Sequence, residues 1–138
     1  MTFVERHEPS GSGTLDLNGL RILLVEDSWN VGMAMQSLLR AWGADVIGPA
    51  ATVADAERLI SEHAPDVALV DINLRGGESA HNLIGRLHGR GIRVVAMSGY
   101  TDVPLPAGKV SAILQKPVNE AQLLASLRPA AADKAARQ

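Results

Sequence analysis

A chain of 138 residues, 46% of them hydrophobic, suffices for one ordinary domain with one core and is too short for a second folded module. Its net charge of -2 provides no basic field for a polyanion, so nucleic acid is not an expected direct ligand. The absence of cysteine excludes disulfides, thiolate metal sites and thiol nucleophiles, and is compatible with a reducing cytosol.

The chain opens with MTFVERHEPSGSG, which has no apolar core of a signal peptide, and no later apolar run is long enough to span a bilayer. These features predict a soluble cytoplasmic protein with no membrane partner. Pro9 to Gly13 cannot bury enough apolar surface to offset its ordering entropy, so residues 1–18 are expected to form a flexible N-terminal arm. The domain proper is expected over residues 19–128.

A first β-type run, RILLV (21–25), leads directly into Glu26 and Asp27, and helical spacing follows from Ser28 to Trp42. On that helix Val31, Ala34, Met35, Leu38, Leu39 and Trp42 share the stripe expected to face the core. Trp29, Met33, Gln36 and Arg40 fall on the opposite side, where Trp29 either covers neighbouring loops or forms with Met33 an exposed apolar contact. The second run is DVIG (45–48), followed by a helix over Thr52 to His63. DVALV (66–70) then ends at Asp71, Gly76-Gly77 reads as turn chemistry, and a helix spans Ser79 to His88. RVVAM (93–97) ends at Ser98. The interval SGYTDVPLPAGKV has two prolines and, beyond Ser98-Gly99, a further glycine, which leave room only for a short, distorted or missing fourth helix. SAIL (111–114) precedes Lys116, a last helix covers Asn119 to Arg128, and residues 129–138 form a C-terminal tail. Ser28, Thr52, Ser79 and Asn119 are the expected N-caps.

Strands apolar on both faces that alternate with helices imply an α/β fold, a doubly wound five-stranded parallel sheet with helices on each side. Ligands of such sheets lie at the carboxyl ends of the strands. Glu26, Asp27, Asp71, Ser98 and Lys116 all close or follow strands, so three carboxylates, a hydroxyl and an amine are expected in one pocket. Adjacent carboxylates raise the cost of ionising one another, and a hard divalent cation such as Mg²⁺ relieves that cost. Taken alone, Glu26-Asp27 more often marks a solvated, acidic helix start. Its joint placement with the other three groups favours the pocket. Lys116 and Ser98 suit a phosphoryl oxygen, and the Asp71 carboxylate can attack phosphorus.

The motifs LLVED (23–27), ALVDINL (68–74), VVAMSGY (94–100) and LQKPV (114–118) resemble, in order and spacing, those of the receiver domains of two-component response regulators. The resemblance runs from about Leu20 to Leu127 and implies the flavodoxin-like receiver fold. It implies Asp71 as phosphoacceptor, Asp27 as a direct Mg²⁺ ligand, Glu26 as a ligand through metal-bound water, and Asn73 as the donor of a backbone carbonyl. Ser98 and Lys116 would hold the phosphoryl oxygens, with a cis Lys116–Pro117 bond as in similar domains. Gly99 would leave the pocket open. Two departures stand out: Ile113 occupies the position of the usual aromatic switch, and the segment from Thr101 to Lys109 is too short for the usual fourth helix. Tyr100, two residues after Ser98, is the candidate to gate the pocket instead.

Chain order argues against a haloacid-dehalogenase-type phosphatase, whose nucleophile follows the first strand, and EDSWN offers no glycine-rich turn for a dinucleotide. The expected function is a single-domain response regulator, not an enzyme beyond its own phosphorylation and dephosphorylation. Its expected partners are a histidine kinase or phosphotransfer protein and an unknown downstream protein. It would signal by contact or serve as a phosphate relay or sink. The rival is a degenerate receiver acting as a phosphorylation-independent interaction module. A homodimer through the first or last helix is left open.

Overall fold

The computed structural model describes residues 16–74, 79–99 and 108–137. Most of the expected arm, the Gly76-Gly77 turn, Tyr100 and residues 101–107 of the expected short fourth helix lie outside the described residues. The elements are β1 (Arg21–Val25), α1 (Trp29–Ala41), β2 (Asp45–Ala50), α2 (Val53–Glu62), β3 (Val67–Asp71), α3 (Ala80–Gly89), β4 (Arg93–Ser98), β5 (Ala112–Gln115) and α4 (Glu120–Ala136). All neighbouring strands pair in parallel, in the order β2-β1-β3-β4-β5. The order reverses at β1 and β3, which puts the crevice for a ligand beyond their carboxyl ends.

Alternation along each strand divides the core between the two faces of the sheet. Ile22, Leu24, Leu69, Val95 and Met97 point to one face and pack with Met35 and Leu39 of α1 and Leu123 and Leu127 of α4. Leu23, Val25, Ala68, Val70 and Ala96 point to the other and pack with Ala56 and Ile60 of α2 and Leu83, Ile84 and Leu87 of α3. The central strand β3 is buried throughout, as a parallel strand covered on both faces must be. The four expected N-caps are all in place: Ser28, Thr52, Ser79 and Asn119 each accept a backbone N–H from the first turn of α1, α2, α3 and α4.

Both ends of the folded part differ from the expectation. The last helix continues through Pro129 to Ala136, so residues 129–136 are helix and not a tail. Pro at that point removes a helical donor, but tertiary contacts hold the extra turns: Ala130 is buried, Asp133 pairs with Arg93, and the Lys134 Nζ donates at 2.8 Å to both the Gly19 carbonyl and Asp66 Oδ2. Asp66 Oδ2 also accepts the Arg21 N–H at 2.8 Å, so one carboxylate ties the starts of β1 and β3 to α4. The expected arm also ends earlier than residue 18. Leu17 is fully buried against the α1 and α4 face, and its N–H donates to the Trp42 carbonyl at 2.9 Å.

Leu17→Ala is therefore expected to cost about 3 kcal/mol of folding stability, as truncation of a buried leucine does. Chemical denaturation checks this, and an unpacked arm residue would leave the midpoint unmoved.

Candidate functional site

β1 and β3 end side by side, and the next residues of each carry the acids. Val25 pairs with Val70, so Glu26 follows one strand where Asp71 closes the other. The Glu26 N–H donates to the Ala50 carbonyl of β2 at 2.9 Å, which extends the sheet by one residue and turns the acid into the protein. Glu26 and Asp71 are only 3% and 2% exposed, far below what isolated carboxylates tolerate, whereas Asp27 is half-buried. One carboxylate oxygen from each of Glu26, Asp27 and Asp71 falls within 4.8 Å of the others.

Lys116 enters from beyond β5. Its N–H donates to the Ser98 carbonyl at 2.8 Å, which locks the end of β5 to the end of β4, and its Nζ reaches Asp71 Oδ2 at 2.8 Å. The second oxygen, Asp71 Oδ1, accepts the Asn73 N–H at 2.9 Å, while the Ile72 N–H bonds the Met97 carbonyl at 3.0 Å. Asp71 is thus held on both oxygens and cannot swing away. Ser98 is buried at the carboxyl end of β4. A side chain at Gly99 would come within 3.6 Å of Asn73 Nδ2 and 4.0 Å of Lys116 Cδ, so glycine keeps this rim low. The Lys116–Pro117 peptide is cis, as the resemblance implied.

Glu26 is the strained member. Ser28 N–H donates to its Oε2 at 3.1 Å, but Oε1 is buried with no partner among the described residues. Burial, reinforced by the charge of Asp71 and a hydrogen bond to it, pushes the Glu26 carboxyl up to about 7 despite the Ser28 N–H and the Lys116 charge. A buried oxygen without a donor, facing two further carboxylates, is the donor set of a hard cation.

Among the described residues Glu26, Asp27, Asp71, Ser98 and Lys116 lie at this strand edge, and Asn73 reaches it through its N–H on Asp71. The contribution of Ser28 was not foreseen beyond its role as a cap. On α1, Trp29 is 71% exposed beside the acids as expected, but Met33 is half-buried. Ala34, expected in the core, is exposed, and Gly32 is buried in its stead.

Residues 22–128 match the response regulator receiver domain family, which spans most of the chain. The chain belongs to this family. Receiver domains are phosphoacceptor signalling domains, and the acidic group described above lies at the pocket of this one. Among solved structures, this receiver domain is similar to the Erythrobacter litoralis PhyR response regulator REC domain, with a TM-score of 0.70 and 25% identity over 82% of this chain and 90% of that one. The response regulator PhyR from Brucella abortus matches with a TM-score of 0.73 and 25% identity; 92% of this chain covers 54% of it, so the receiver spans about half of that regulator's length. A response regulator receiver domain protein from Clostridium thermocellum, at 19% identity and a TM-score of 0.76 over 86% of this chain and 99% of that one, shows the shared fold. No curated protein matches the sequence. No helix among the described residues is long and apolar enough to cross a membrane.

The shifted carboxyl has a measurable consequence. Glu26 titrates at 4.5 in an ordinary setting and at about 7 here, so between these values the folded chain keeps a proton that the unfolded chain has released. Stability of the metal-free protein therefore falls as pH rises through this window. Glu26→Gln, which cannot ionise, is expected to match the wild type near the low end of the window. It should exceed the wild type by roughly 3 kcal/mol above the high end, where the wild-type carboxylate is charged. Urea denaturation across pH, wild type beside variant, measures the gap.

Proposed function

We propose that this receiver accepts a phosphoryl group on Asp71 in a Mg²⁺-dependent reaction, and that its natural donor is a histidine kinase or phosphotransfer protein. The observation that carries this reading is the buried Asp71 carboxylate, 2.8 Å from the Lys116 ammonium and within 4.8 Å of two further carboxylates. Such a set can neutralise an incoming dianion and hold a nucleophile in line with it.

The donor set fits Mg²⁺, because among the described residues Glu26 Oε1 lacks a hydrogen-bond partner and the cation takes carboxylate oxygens while retaining waters. Asp27 and Asp71 would hold it directly, Glu26 through a bound water and Asn73 through its carbonyl. When bound, the cation supplies charge neutralisation for the transferring oxygens. One Asp71 oxygen attacks the donor phosphorus, the bond from phosphorus to the donor breaks, and its electron pair leaves with the donor. Before transfer Lys116 occupies Asp71 Oδ2; afterwards it bonds a phosphoryl oxygen in place of the carboxylate, and Ser98 takes a second. That exchange of partners moves the starts of the β5–α4 connection and the rim at Gly99, which favours one of two conformations and transmits the state. Water attacking the acyl phosphate restores Asp71 and releases inorganic phosphate.

The signal then leaves by protein contact or is relayed or drained as phosphate. Ile113 is 55% exposed on β5 and stands where the usual aromatic switch would stand, so the readout rests on groups other than that aromatic. Cytoplasmic placement accords with a donor of this kind.

Intact mass after incubation with Mg²⁺ and acetyl phosphate tests the acceptor. The wild type is expected to gain one phosphoryl group that Asp71→Asn and chelation each abolish. No gain from acetyl phosphate or from a kinase, with the fold intact, would leave a phosphorylation-independent interaction module. A separate outcome concerns Trp29, exposed beside the acids: Trp29→Ala is expected to slow transfer from a phosphotransfer protein about tenfold, as loss of a buried aromatic anchor does, and to leave labelling by acetyl phosphate unchanged. Rapid-quench transfer kinetics with both donors decide it.

A further inference from the structure

The buried side of α1 carries two features that an ordinary surface helix would lack. Gly32 lies in the helix interior, where glycine costs about 1 kcal/mol relative to alanine. A Cβ there would meet Pro49 Cβ at 3.0 Å, Pro49 Cγ at 3.1 Å and Glu26 Cγ at 3.7 Å. One turn on, Gln36 is half-buried and its Nε2 donates to the Gly48 carbonyl at 2.9 Å. Gln36 and Gly32 therefore bracket Gly48 and Pro49 from the same side of the helix.

Gly48 and Pro49 form an irregularity in β2. Leu23 of β1 pairs with Ile47, whereas Val25 pairs with Ala50, so two steps along β1 oppose three along β2. The extra residue is a β-bulge, a device that re-aims the chain beside functional sites. Gly48 has φ +102°, and a Cβ there would stand 2.7 Å from the Leu24 carbonyl, so only glycine fits. The bulge has a direct effect on the acids. It brings Ala50, instead of Pro49, opposite Val25, and the Ala50 carbonyl then accepts the Glu26 N–H. A proline opposite Val25 would have no N–H to give to β1, so the bulge keeps a residue with both backbone groups at the position whose carbonyl accepts from Glu26.

We infer that Gly32 and Gln36 are positioning residues for the cation site, seating Glu26 from α1 through the Gly48–Pro49 bulge. The inference rests on the metal reading of the acid group. Neither residue touches the reacting atoms. Gln36 holds the bulge carbonyl, the bulge presents Ala50 to the Glu26 backbone, and the bare Gly32 surface leaves the space that the Pro49 ring and the Glu26 methylenes share. Among the described residues Glu26 Oε1 has no hydrogen-bond partner and Oε2 accepts from its own loop, so the β2 side of the acid is set by its backbone bond to Ala50 and by the contact shared with Gly32 and Pro49.

Gln36→Met keeps the length of the side chain and removes the donor, and Gln36→Lys restores a donor. Gly32→Val fills the shared space. Mg²⁺ affinity of the full chain is measured by calorimetry, labelling by acetyl phosphate is followed at limiting and saturating Mg²⁺, and the denaturation midpoint is recorded for each variant. Gln36→Met is expected to weaken Mg²⁺ binding about tenfold, the low end of what losing an outer support of a metal site costs. Its labelling rate should return to the wild-type value at saturating Mg²⁺, and Gln36→Lys should recover most of the affinity at an equal midpoint. Gly32→Val is expected to weaken binding at least as much. Unchanged affinity in Gln36→Met would overturn the inference, and so would a loss that scales with the fall in midpoint and is not recovered by Gln36→Lys. A wild type that binds no Mg²⁺ is a different failure, removing the metal reading itself and this inference with it.

Discussion

The constraint on which the rest of this receiver depends is the crowding of three carboxylates at the carboxyl end of a buried parallel sheet. Two of them, Glu26 and Asp71, are almost wholly withdrawn from water, and the Lys116 ammonium pairs with Asp71. Charges of one sign in such a setting oppose folding, since burial removes the hydration that would otherwise separate them. The fold answers with geometry. Backbone bonds to Ala50 and Ser98 fix Glu26 and Lys116, and the Asn73 N–H holds the Asp71 carboxylate itself, so the acids are kept together. What remains is a site crowded with carboxylate oxygens, which is the condition for taking up a cation.

The stabilising interactions are gathered elsewhere. The two apolar layers, α1 with α4 and α2 with α3, clamp the sheet along its length. At the starts of the strands Asp66 collects the Arg21 N–H and the Lys134 ammonium, and Arg93 meets Asp133. Opposite charges are paired at that edge and like charges are forced together at the other. The sheet therefore has an end that secures the structure and an end that stores unfavourable electrostatics for use.

Much of this was legible in the sequence because the chemistry demands particular residue types at strand ends. Glu26, Asp27, Asp71, Ser98 and Lys116 stand immediately after apolar runs, and a parallel sheet brings such positions together whatever their separation along the chain. The N-caps were legible for a similar reason: a hydroxyl or amide at the start of a helix has one geometry that satisfies the first turn. What escaped was set by contacts between distant segments. GP in DVIGPA reads as the end of a strand, yet β2 continues through it as a bulge to Ala50. The stripe on α1 was centred by apolarity alone, which placed Ala34 inside and Gln36 outside; the bulge meets the helix on the Gly32 side and turns the burial toward it. Pro129 reads as a stop, and only the grip of Asp133 and Lys134 on the strand starts carries the helix past it.

The pinning of α4 to the strand starts has a practical side. Leu17 and the last turns of α4 both dock where β1, β3 and β4 begin, at the edge of the sheet opposite the acids. A tether to a sensor surface, or a fluorophore coupled beyond either point, would hang from the far end and leave the mouth of the pocket clear. The same molecule could thus be captured in one fixed orientation, acids outward, for measuring how fast a phosphodonor arrives and departs.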